Sequence, residues 1–249
     1  MKLAAKTDIG YGRLENQDNY RAARLPDDTV WGLICDGMGG ANSGKLASQL
    51  AAQALEEYFD QGLADLVPGQ EIEFLRKAVQ QANQAIYEEA SRHPEHTGMG
   101  TTVAGALVRG GHAWLFHAGD SRVYLFRAGQ IRQLTRDHSM VQELVENGTI
   151  TAQQAATHPR KNIITRALGV NPTVETETGE CTVRPGDVLL LCSDGLSNPV
   201  SDRTMARILT EVPFYEAADV LVAKALEHGG QDNITVLLIG VEPVAAPAP

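Results

Sequence analysis

The stretch TVAGALVRGGHAWLFHAGDSRVYLFR, residues 102–127, decides the fold class. It contains three short runs rich in apolar and β-branched residues, at 102–108, 113–118 and 123–127, a composition typical of strands. Only Gly110-Gly111 and Gly119-Asp120 with a few neighbours separate these runs. Such gaps allow antiparallel hairpins and are too short for the crossover helix that parallel strands require.

Two long helices are expected before these strands. Apolar residues recur at helical spacing from the N-cap pair Asn42-Ser43 to about Gly62, and again from about Glu71 to a point before Pro94. Further strands are expected at 30–35, 188–192 and 234–241, and the remainder is expected to be mostly strand. Because helices and strands come in blocks and do not alternate, the pattern predicts an α+β fold with antiparallel sheet.

Composition excludes several classes of protein. The 249 residues are 43% hydrophobic, enough for one generous domain or two small ones. With 21 Lys and Arg against 31 Asp and Glu, the net charge is −10, which disfavours binding to nucleic acid or to an anionic membrane. No apolar run approaches the roughly 20 residues that span a bilayer, and residues 1–8 lack a signal core. Three widely spaced cysteines predict no disulfide framework and a reducing, cytoplasmic setting.

Residues 139–168 change character. Met140, Leu144 and Val145 predict a short helix, and a polar, basic run at 158–162 follows it. We interpret this segment as an excursion inserted beside the core. No linker composition divides the chain, so residues 1–242 are expected to form a single domain, followed by an Ala/Pro-rich tail at 243–249.

Five aspartates lie where strands end or begin. Asp36, Asp120 and Asp194 each follow an apolar run, and each has a glycine beside it. Asp18 and Asp232 each open a strand, and both stand in the tripeptide Gln-Asp-Asn. Aspartate is a poor strand residue, and a single Asp-Gly pair is ordinary turn punctuation. Five such positions, two of them in a repeated tripeptide, are better explained by a shared site.

The end of one antiparallel strand lies beside the start of its neighbour, so these acids can share one rim. Like charges about 4 Å apart repel by roughly 4 kcal/mol at an effective dielectric of 20, so the cluster needs protons or cations. Carboxylates without neighbouring His or Cys ligands suit Mg²⁺ or Mn²⁺. Zinc is disfavoured because the sequence has neither His-x₃-His nor Cys-x₂-Cys.

Other phosphate chemistries match the sequence less well. Residues 39–46, GGANSGKL, nearly spell a Walker A loop, but Leu46 stands where a Ser or Thr would bind Mg²⁺. The sequence also lacks Cys-x₅-Arg, Asp-x-Asp and Gly-x-Ser-x-Gly, the usual signatures of covalent catalysis. Activation of water by a metal is the chemistry that remains.

Seven short motifs follow one another along the chain: RLENQD at 13–18, DGMGG at 36–40, GTT at 100–102, GDSR at 119–122, DH at 137–138, SDG at 193–195 and QDN at 231–233. Taken together and in this order, they resemble the protein phosphatase 2C family of metal-dependent Ser/Thr phosphatases, in its compact bacterial branch. The likeness spans roughly residues 3 to 240. It implies a four-layer αββα sandwich, two antiparallel β-sheets flanked by helices, with a pair of Mn²⁺ or Mg²⁺ ions at one end.

The resemblance implies a role for each matching acid. Asp36 would bridge the two ions, and the carbonyl of Gly37 would bind one of them. Asp194 and Asp232 would be direct ligands. Asp18 would act directly or through a metal-bound water.

Two further features follow from the resemblance. Asp120 matches a residue that helps to hold a third, looser ion, and residues 139–168 match the mobile flap of the family. Independently of the resemblance, the positive charges of Arg160 and Lys161 in this segment are expected to attract acidic or phosphorylated substrate.

The phosphoryl group carries dispersed negative charge, so an Arg clamp would help catalysis. Arg13, near Asp18, is the best candidate for a bidentate hold on the phosphoryl oxygens. The histidine that many relatives carry after the Asp-Gly or Gly-Gly pair is replaced here by Met38 or Ala41. Of the other histidines, His117 is expected to be a satisfied core residue and His138 an N-cap or structural residue.

These observations predict a cytoplasmic, monomeric enzyme that hydrolyses phosphoserine and phosphothreonine in proteins with water activated between two Mn or Mg ions. Its partners would be phosphorylated proteins and a cognate Ser/Thr kinase. The alternative is a metal-binding module that senses phosphopeptides without turnover. The third hypothesis is a nucleotide-binding P-loop protein.

Overall fold

The computed structural model describes residues 1–39 and 43–242. The strands in this part of the chain form two antiparallel sheets. The strands are β1 (Lys2–Asp8), β2 (Asp18–Arg24), β3 (Val30–Met38), β4 (Gly100–Thr101), β5 (Val103–Arg109), β6 (His112–Ala118), β7 (Arg122–Arg127), β8 (Gln130–Gln133), β9 (Glu177–Thr182), β10 (Val188–Cys192) and β11 (Ile234–Gly240). The helices are α1 (Ser43–Gly62), α2 (Glu71–Arg92), α3 (Met140–Glu146), α4 (Ala152–Ala156), α5 (Asp194–Ser197), α6 (Asp202–Glu211) and α7 (Phe214–Glu227).

The two sheets pack face to face with helices outside them. One sheet has five strands in the order β1-β11-β10-β7-β8. The other has six strands in the order β2-β3-β5-β6-β9, with β4 paired to β3. Helices α1 and α2 cover the six-stranded sheet, and α6 and α7 cover the five-stranded sheet. The predicted αββα sandwich is therefore confirmed.

Side chains that alternate along the central strands account for the layers. On β3, Trp31 and Leu33 pack toward α1 and α2, whereas Val30 and Ile34 pack toward the other sheet. Successive residues of a strand point to opposite faces, and here both faces are buried. This is why the strands appear in the sequence as continuous apolar runs.

The connection at Gly119-Asp120 is not a hairpin. It leads from β6 in the six-stranded sheet to β7 in the five-stranded sheet. The gaps at Gly110-Gly111 and Ala128-Gly129, in contrast, join the antiparallel neighbours β5–β6 and β7–β8. Gap length could not distinguish the two cases, because three extended residues cover about 10 Å, which is also the usual distance between packed sheets.

The expectation that the remainder is mostly strand is wrong for residues 202–227, which form α6 and α7. The helical signals were present in the sequence: Ser201 caps α6 by accepting the Thr204 N–H, and α7 buries Ala217, Leu221 and Ala225 four residues apart. Strands β1, β8 and β9 are short of β-branched residues and lie at sheet edges, where pairing with a neighbour decides the structure.

The segment at 139–168 lies outside the two sheets. It contains α3, as expected, and also α4, and it closes at its base through β-bridges that pair Ser139 with Ile164 and Thr101 with Leu168. None of the helices in the described part of the chain has both the length and the apolar character needed to cross a bilayer. The predicted cap Asn42, with Gly40 and Ala41, and the tail 243–249 lie outside the described residues.

We expect Gly105→Ala to destabilise the fold by about 1–3 kcal/mol, the usual cost of overpacking a core. A Cβ at Gly105 would lie 2.1 Å from Cζ of Phe116 on the neighbouring strand. That ring is fully buried and packs edge-on against Phe59, so it has little room to move. Denaturant unfolding monitored by circular dichroism would measure the loss.

Gly179→Ala is the matched control in the same sheet, because the nearest atom to its Cβ would be Leu115 Cδ1 at 3.9 Å. It should change the free energy of unfolding by less than about 0.5 kcal/mol. Equal stability of the two variants would contradict the packing argument.

Candidate metal centre

Strand register places the first two acids opposite each other. Asp18 opens β2 and pairs directly with Asp36 near the end of β3. Side chains on directly opposed residues of antiparallel strands lie about 4.5–5.5 Å apart at Cβ. The expectation that a strand entry and a strand exit share one rim is therefore confirmed for this pair.

Asp36 is held by the backbone and hydroxyls of the segment before β5. Its N–H donates to Oγ1 of Thr102 (3.0 Å), and its carbonyl accepts from the Thr101 hydroxyl (2.8 Å) and the Thr102 N–H (2.9 Å). Next to it, a Cβ at Gly37 would lie 2.0 Å from the carbonyl oxygen of Gly44 in α1. Only glycine therefore lets the start of α1 approach Asp36 so closely.

Asp18 lies beneath the other acids and is only 6% exposed. One of its carboxylate oxygens, Oδ2, accepts hydrogen bonds from the hydroxyls of Ser193 and Thr235, both at 2.7 Å. The other, Oδ1, is buried and has no hydrogen-bond partner among the residues described. A buried carboxylate oxygen without a partner is costly, so this atom indicates a missing ligand.

Asp194 and Asp232 come from adjacent strands of the five-stranded sheet. Asp194 begins α5 just after β10, and Asp232 precedes β11. A Cβ at Gly195 would lie 1.9 Å from the carbonyl oxygen of Asn233, so the Asp-Gly pair lets the two loops touch. Oδ2 of Asp194 accepts from Asn198, whereas its buried Oδ1 lacks a hydrogen-bond partner within the described chain.

Asp120 lies on the connection between the two sheets. Gly119 before it has φ +114°, a conformation that residues with a Cβ rarely adopt. The neighbouring Ser121 hydroxyl is 2.7 Å from the Thr102 hydroxyl that holds Asp36. The crossing therefore brings the fifth acid to the same end of the sandwich.

One cavity of about 720 Å³ collects four of the five acids. Its wall includes Asp36, Asp120, Asp194 and Asp232, and Asp18 lies buried beneath them. Asp120 and Asp194 also line a second cavity of about 210 Å³, which extends under α3 and α4. The sequence analysis predicted a shared site for Asp36, Asp194 and Asp232. These three acids line the same cavity.

Burial and mutual repulsion raise the pKa values of Asp18, Asp36, Asp120 and Asp194. Burial is the larger cause in each case, followed for Asp36, Asp120 and Asp194 by the charge of a neighbouring aspartate. The pKa of Asp36 lies well above its usual range. The pKa rises to about 7 for Asp18, to about 8 for Asp120 and to about 6 for Asp194. Without a cation, the folded protein must hold protons in this cluster.

The residues present fit divalent cations. The two buried oxygens without partners, Asp18 Oδ1 and Asp194 Oδ1, belong to this cluster. The donors are carboxylates and backbone groups, which suit hard cations such as Mg²⁺ and Mn²⁺. The cavity wall contains no histidine or cysteine among its described residues, so the donor set does not favour zinc.

Arg13 lies at the cavity wall but is engaged by an acid. Its Nε is 2.7 Å from Oδ1 of Asp232, and its Nη2 donates to Oδ2 at 2.8 Å. This bidentate pair raises the pKa of Arg13. Its side chain remains 52% exposed, so it faces solvent at the mouth of the cavity.

The two basic residues predicted on the 139–168 segment differ in position. Lys161 lines the smaller cavity with Asp120 and Asp194, and its positive charge opposes the rise in the pKa of Asp194. Arg160 is exposed and lines neither of these two cavities. Lys45 of the near-Walker stretch reaches Glu15 at 3.6 Å, a surface pairing.

Sequence reasoning did not identify the residues that hold the acids in place. Asn233 accepts the Gln17 N–H and donates to the carbonyls of Ile9 and Glu15, so it ties residues 9–17 to the start of β11. Asn19 donates to the Ser48 hydroxyl on α1. The repeated Gln-Asp-Asn tripeptide was the available signal, since in both copies the Asn fastens a neighbouring segment.

Comparison with known proteins places this geometry among characterised ones. The family model described as "Protein phosphatase 2C" matches residues 11–228. The Listeria monocytogenes "Serine/threonine phosphatase stp" is 42% identical over 241 residues, which are 96% of this chain and 95% of that protein. The Mycobacterium tuberculosis "Serine/threonine protein phosphatase PstP" is 40% identical over 97% of this chain, which spans 45% of that protein.

A solved structure shows the same architecture with metal. The catalytic domain of PstP in complex with two manganese ions superposes with a TM-score of 0.86 and 38% identity. The match covers 97% of this chain and 98% of that one.

We expect Asp36→Asn to stabilise the metal-free protein relative to the wild type, increasingly as the pH rises from 5.5 to 8. In the unfolded chain Asp36 ionises near its ordinary pKa of 3.8, whereas burial raises its pKa well above that value in the folded protein. The wild type therefore loses stability progressively as the pH rises from 3.8 towards the folded pKa. Asn keeps the neutral form at every pH. Thermal unfolding in excess EDTA should show a gap of several degrees at pH 8 and a smaller gap at pH 5.5.

Saturating Mn²⁺ should reverse the order, since the variant lacks one ligand. The buried histidines contribute equally to both proteins, so the difference isolates the acid cluster. Asp65→Asn, at an exposed loop position, should show no such trend. A wild type more stable than Asp36→Asn at pH 8 in EDTA would contradict the prediction.

Proposed function

Because the chain belongs to the protein phosphatase 2C family, we propose that it is a metal-dependent hydrolase of phosphoserine and phosphothreonine in proteins. The observation that carries this proposal is the convergence of Asp18, Asp36, Asp194 and Asp232 at one cavity end, with two buried carboxylate oxygens lacking partners in the described chain. The cavity opens to solvent and is lined by Arg13 and four aspartates, which suits a phosphorylated side chain on a protein surface.

The acids would hold two ions. Asp36 has the central position, opposite Asp18 and in the same cavity wall as Asp194 and Asp232, so we propose it as the bridging ligand. When bound, two divalent cations lower the pKa of a shared water and neutralise charge on the phosphoryl group. Gly37 contributes its carbonyl at the same wall, and Asp120 would serve a third, weaker ion.

The protein's own part is orientation and charge. The hydroxyls of Thr101 and Thr102 fix the Asp36 backbone, so the strand end that carries this carboxylate is in place before a cation binds. Ser193 and Thr235 keep Asp18 oriented by donating to one of its oxygens, which leaves the other free for a ligand.

Arg13 would bind the phosphoryl oxygens of the substrate. Its guanidinium fork holds the Asp232 carboxylate, which has the same planar arrangement of two oxygens that a phosphate offers. Once a cation neutralises Asp232, the competition for this fork weakens. We therefore propose that Arg13 exchanges a carboxylate for a phosphoryl group.

The substrates would be phosphorylated proteins made by a Ser/Thr kinase. Lys161 at the smaller cavity and the exposed Arg160 would attract the anionic side of such proteins to a chain whose net charge is −10. We also propose that the protein is a monomer. We propose a reducing, cytoplasmic setting because Cys35 and Cys192 are free thiols within the core.

The decisive experiment is Mn²⁺-dependent release of phosphate from p-nitrophenyl phosphate and from a phosphothreonine peptide. We expect Asp36→Asn to lower kcat by at least roughly 10²–10³-fold, the loss typical when one group that stabilises the transition state is removed. Excess EDTA should abolish the wild-type activity. Asp65→Asn serves as the control for the loss of an aspartate elsewhere.

The alternative functions give different results in the same assays. A sensing module would bind the phosphopeptide tightly in calorimetry, with no phosphate released under saturating Mn²⁺. A P-loop protein would release heat on titration with submillimolar ATP. Full activity in EDTA or in Asp36→Asn would overturn the proposed mechanism.

We expect Arg13→Lys to lower kcat/KM for the phosphopeptide about tenfold, because Lys keeps the charge and loses the fork. Arg13→Ala should lower it about a hundredfold, in line with a charged hydrogen bond worth up to about 3 kcal/mol. Steady-state kinetics at saturating Mn²⁺ measures both.

The control is Arg24→Ala at the opposite end of β2, where the side chain pairs with Asp28. It should leave kcat/KM within twofold of the wild type. If Arg13→Ala matched that control, Arg13 would be a surface partner of Asp232 and nothing more.

A further inference from the structure

Two buried histidines stack behind the turn that carries Asp120. The rings of His117 and His138 lie 4.4 Å apart with an angle of 5° between their planes, and the residues are 3% and 4% exposed. The Glu177 carboxylate on β9 completes the group, with the three potential ligand atoms within 4.8 Å of one another. Neither histidine lines either of the two cavities described above.

The geometry of this group disfavours a metal site. Imidazole lone pairs lie in the ring plane, and two parallel stacked planes offer no single point about 2.0–2.1 Å from a nitrogen of each ring. The nitrogens also have partners: His117 Nε2 is 2.7 Å from the carbonyl oxygen of Arg136. The guanidinium of Arg166 lies 3.0 Å from His138 Nε2 and places a positive charge there. The expectation that His117 is a satisfied core residue is thereby confirmed.

The imidazole of His138 instead serves the backbone beside Asp120. Its Nδ1 accepts the N–H of Gly119 at 3.1 Å. We therefore assign the ring proton to Nε2, which lies 3.1 Å from Oε2 of Glu177 and donates to it. With this tautomer, the close approach of Arg166 Nη1 to Nε2 is not a hydrogen bond, and Arg166 donates to Glu175 instead. Burial lowers the pKa of His138, with His117 and Arg166 acting in the same direction against Glu177, so the ring is neutral and Nδ1 keeps its lone pair.

The backbone of His138 fastens two further segments. Its N–H donates to the carbonyl of Gly119 (2.9 Å), and its carbonyl accepts the N–H of Thr165 (2.8 Å). The next residue, Ser139, pairs with Ile164 at the base of the 139–168 segment. One residue therefore joins the Asp120 turn, through both polar backbone groups of Gly119, to the base of that segment.

Gly119 needs such a restraint. Its φ of +114° is one that glycine alone adopts readily, and glycine also leaves it most easily. A rotation at Gly119 would turn Asp120 away from Asp194, with which it shares both cavities.

We propose that His138 is a positioning residue, whose Nδ1 fixes the Gly119-Asp120 turn and so presents Asp120 to a divalent cation. The proposal rests on the proposed function, since it concerns how one of the acids is offered to metal. His138 does not touch the cavity or the substrate and acts only through the turn.

Two substitutions separate the Nδ1 contact from the rest of the ring. In His138→Asn, the amide Oδ1 can occupy the place of Nδ1 and accept the Gly119 N–H. In His138→Gln, the amide reaches toward Glu177 instead, and Gly119 loses its acceptor. Both variants keep the backbone bonds of residue 138.

We expect His138→Gln to weaken the weakest detectable Mn²⁺ binding step in calorimetry about tenfold, and His138→Asn to stay within about twofold of the wild type. Amide hydrogen exchange at Gly119, followed by NMR without metal, should be at least about tenfold faster in His138→Gln only. Equal behaviour of the two variants in both measurements would overturn the proposal.

A measurement on the unmodified protein tests the proposal even if one of the variants fails to fold. Nitrogen-15 spectra of the histidine rings should show Nδ1 of His138 unprotonated and Nε2 protonated at pH 7. A protonated Nδ1 would overturn the proposal, because it could not accept from Gly119. A wild type that releases no phosphate with Mn²⁺ would refute the proposed function, while the ring protonation and the Gly119 exchange would still decide the role of His138.

Discussion

Electrostatic repulsion among five aspartates is the constraint on which the rest of this molecule depends. The register of β2 with β3 sets Asp18 against Asp36, and the loops after β10 and before β11 add Asp194 and Asp232 to the same end of the sandwich. Burial makes ionisation unfavourable for Asp18, Asp36 and Asp194 and raises their pKa values. A fold that keeps such a cluster is organised around the cations that neutralise it.

The surrounding hydrogen bonds show how the repulsion is contained. Hydroxyls of Ser193 and Thr235 bind the deepest acid, and hydroxyls of Thr101 and Thr102 bind the backbone of the central one. These groups are neutral, so they orient the acids without cancelling their charge. The protein's own groups thus orient the Asp18 carboxylate and the Asp36 backbone before any ligand arrives, which favours preorganised binding.

The sequence was informative where functional residues stand at the ends of strands. The antiparallel blocks predicted an α+β fold, and the five aspartates with the glycines beside them predicted a shared site, because five such positions are too many for turns alone. The αββα sandwich was predicted only through the resemblance to the protein phosphatase 2C family. The crossing between sheets at Gly119-Asp120 could not be predicted, since the same short gap serves a hairpin equally well. The repeated Gln-Asp-Asn tripeptide marked Asn233 as a residue of interest, but the partners of Asn233 and His138 lie far along the chain, and local patterns carry no record of such pairs.

Part of the missing information was present but ambiguous. Helix α7 is rich in alanine and valine, and its four-residue spacing becomes decisive only when the face it covers on β1 and β11 is known. Arg13 was predicted to bind phosphate from its charge and its place in the sequence, whereas its contact with Asp232 depends on how two distant loops approach each other.

The link between the two sheets also has a mechanical consequence. Asp120 sits on the short crossing from β6 to β7, while Asp36 belongs to one sheet and Asp194 follows a strand of the other. Any sliding of one sheet over the other would therefore alter the spacing of the acids before a single strand separated. The affinity of this protein for cations should therefore depend on how the two sheets pack, and it should respond to repacking between them even at places far from the cavity.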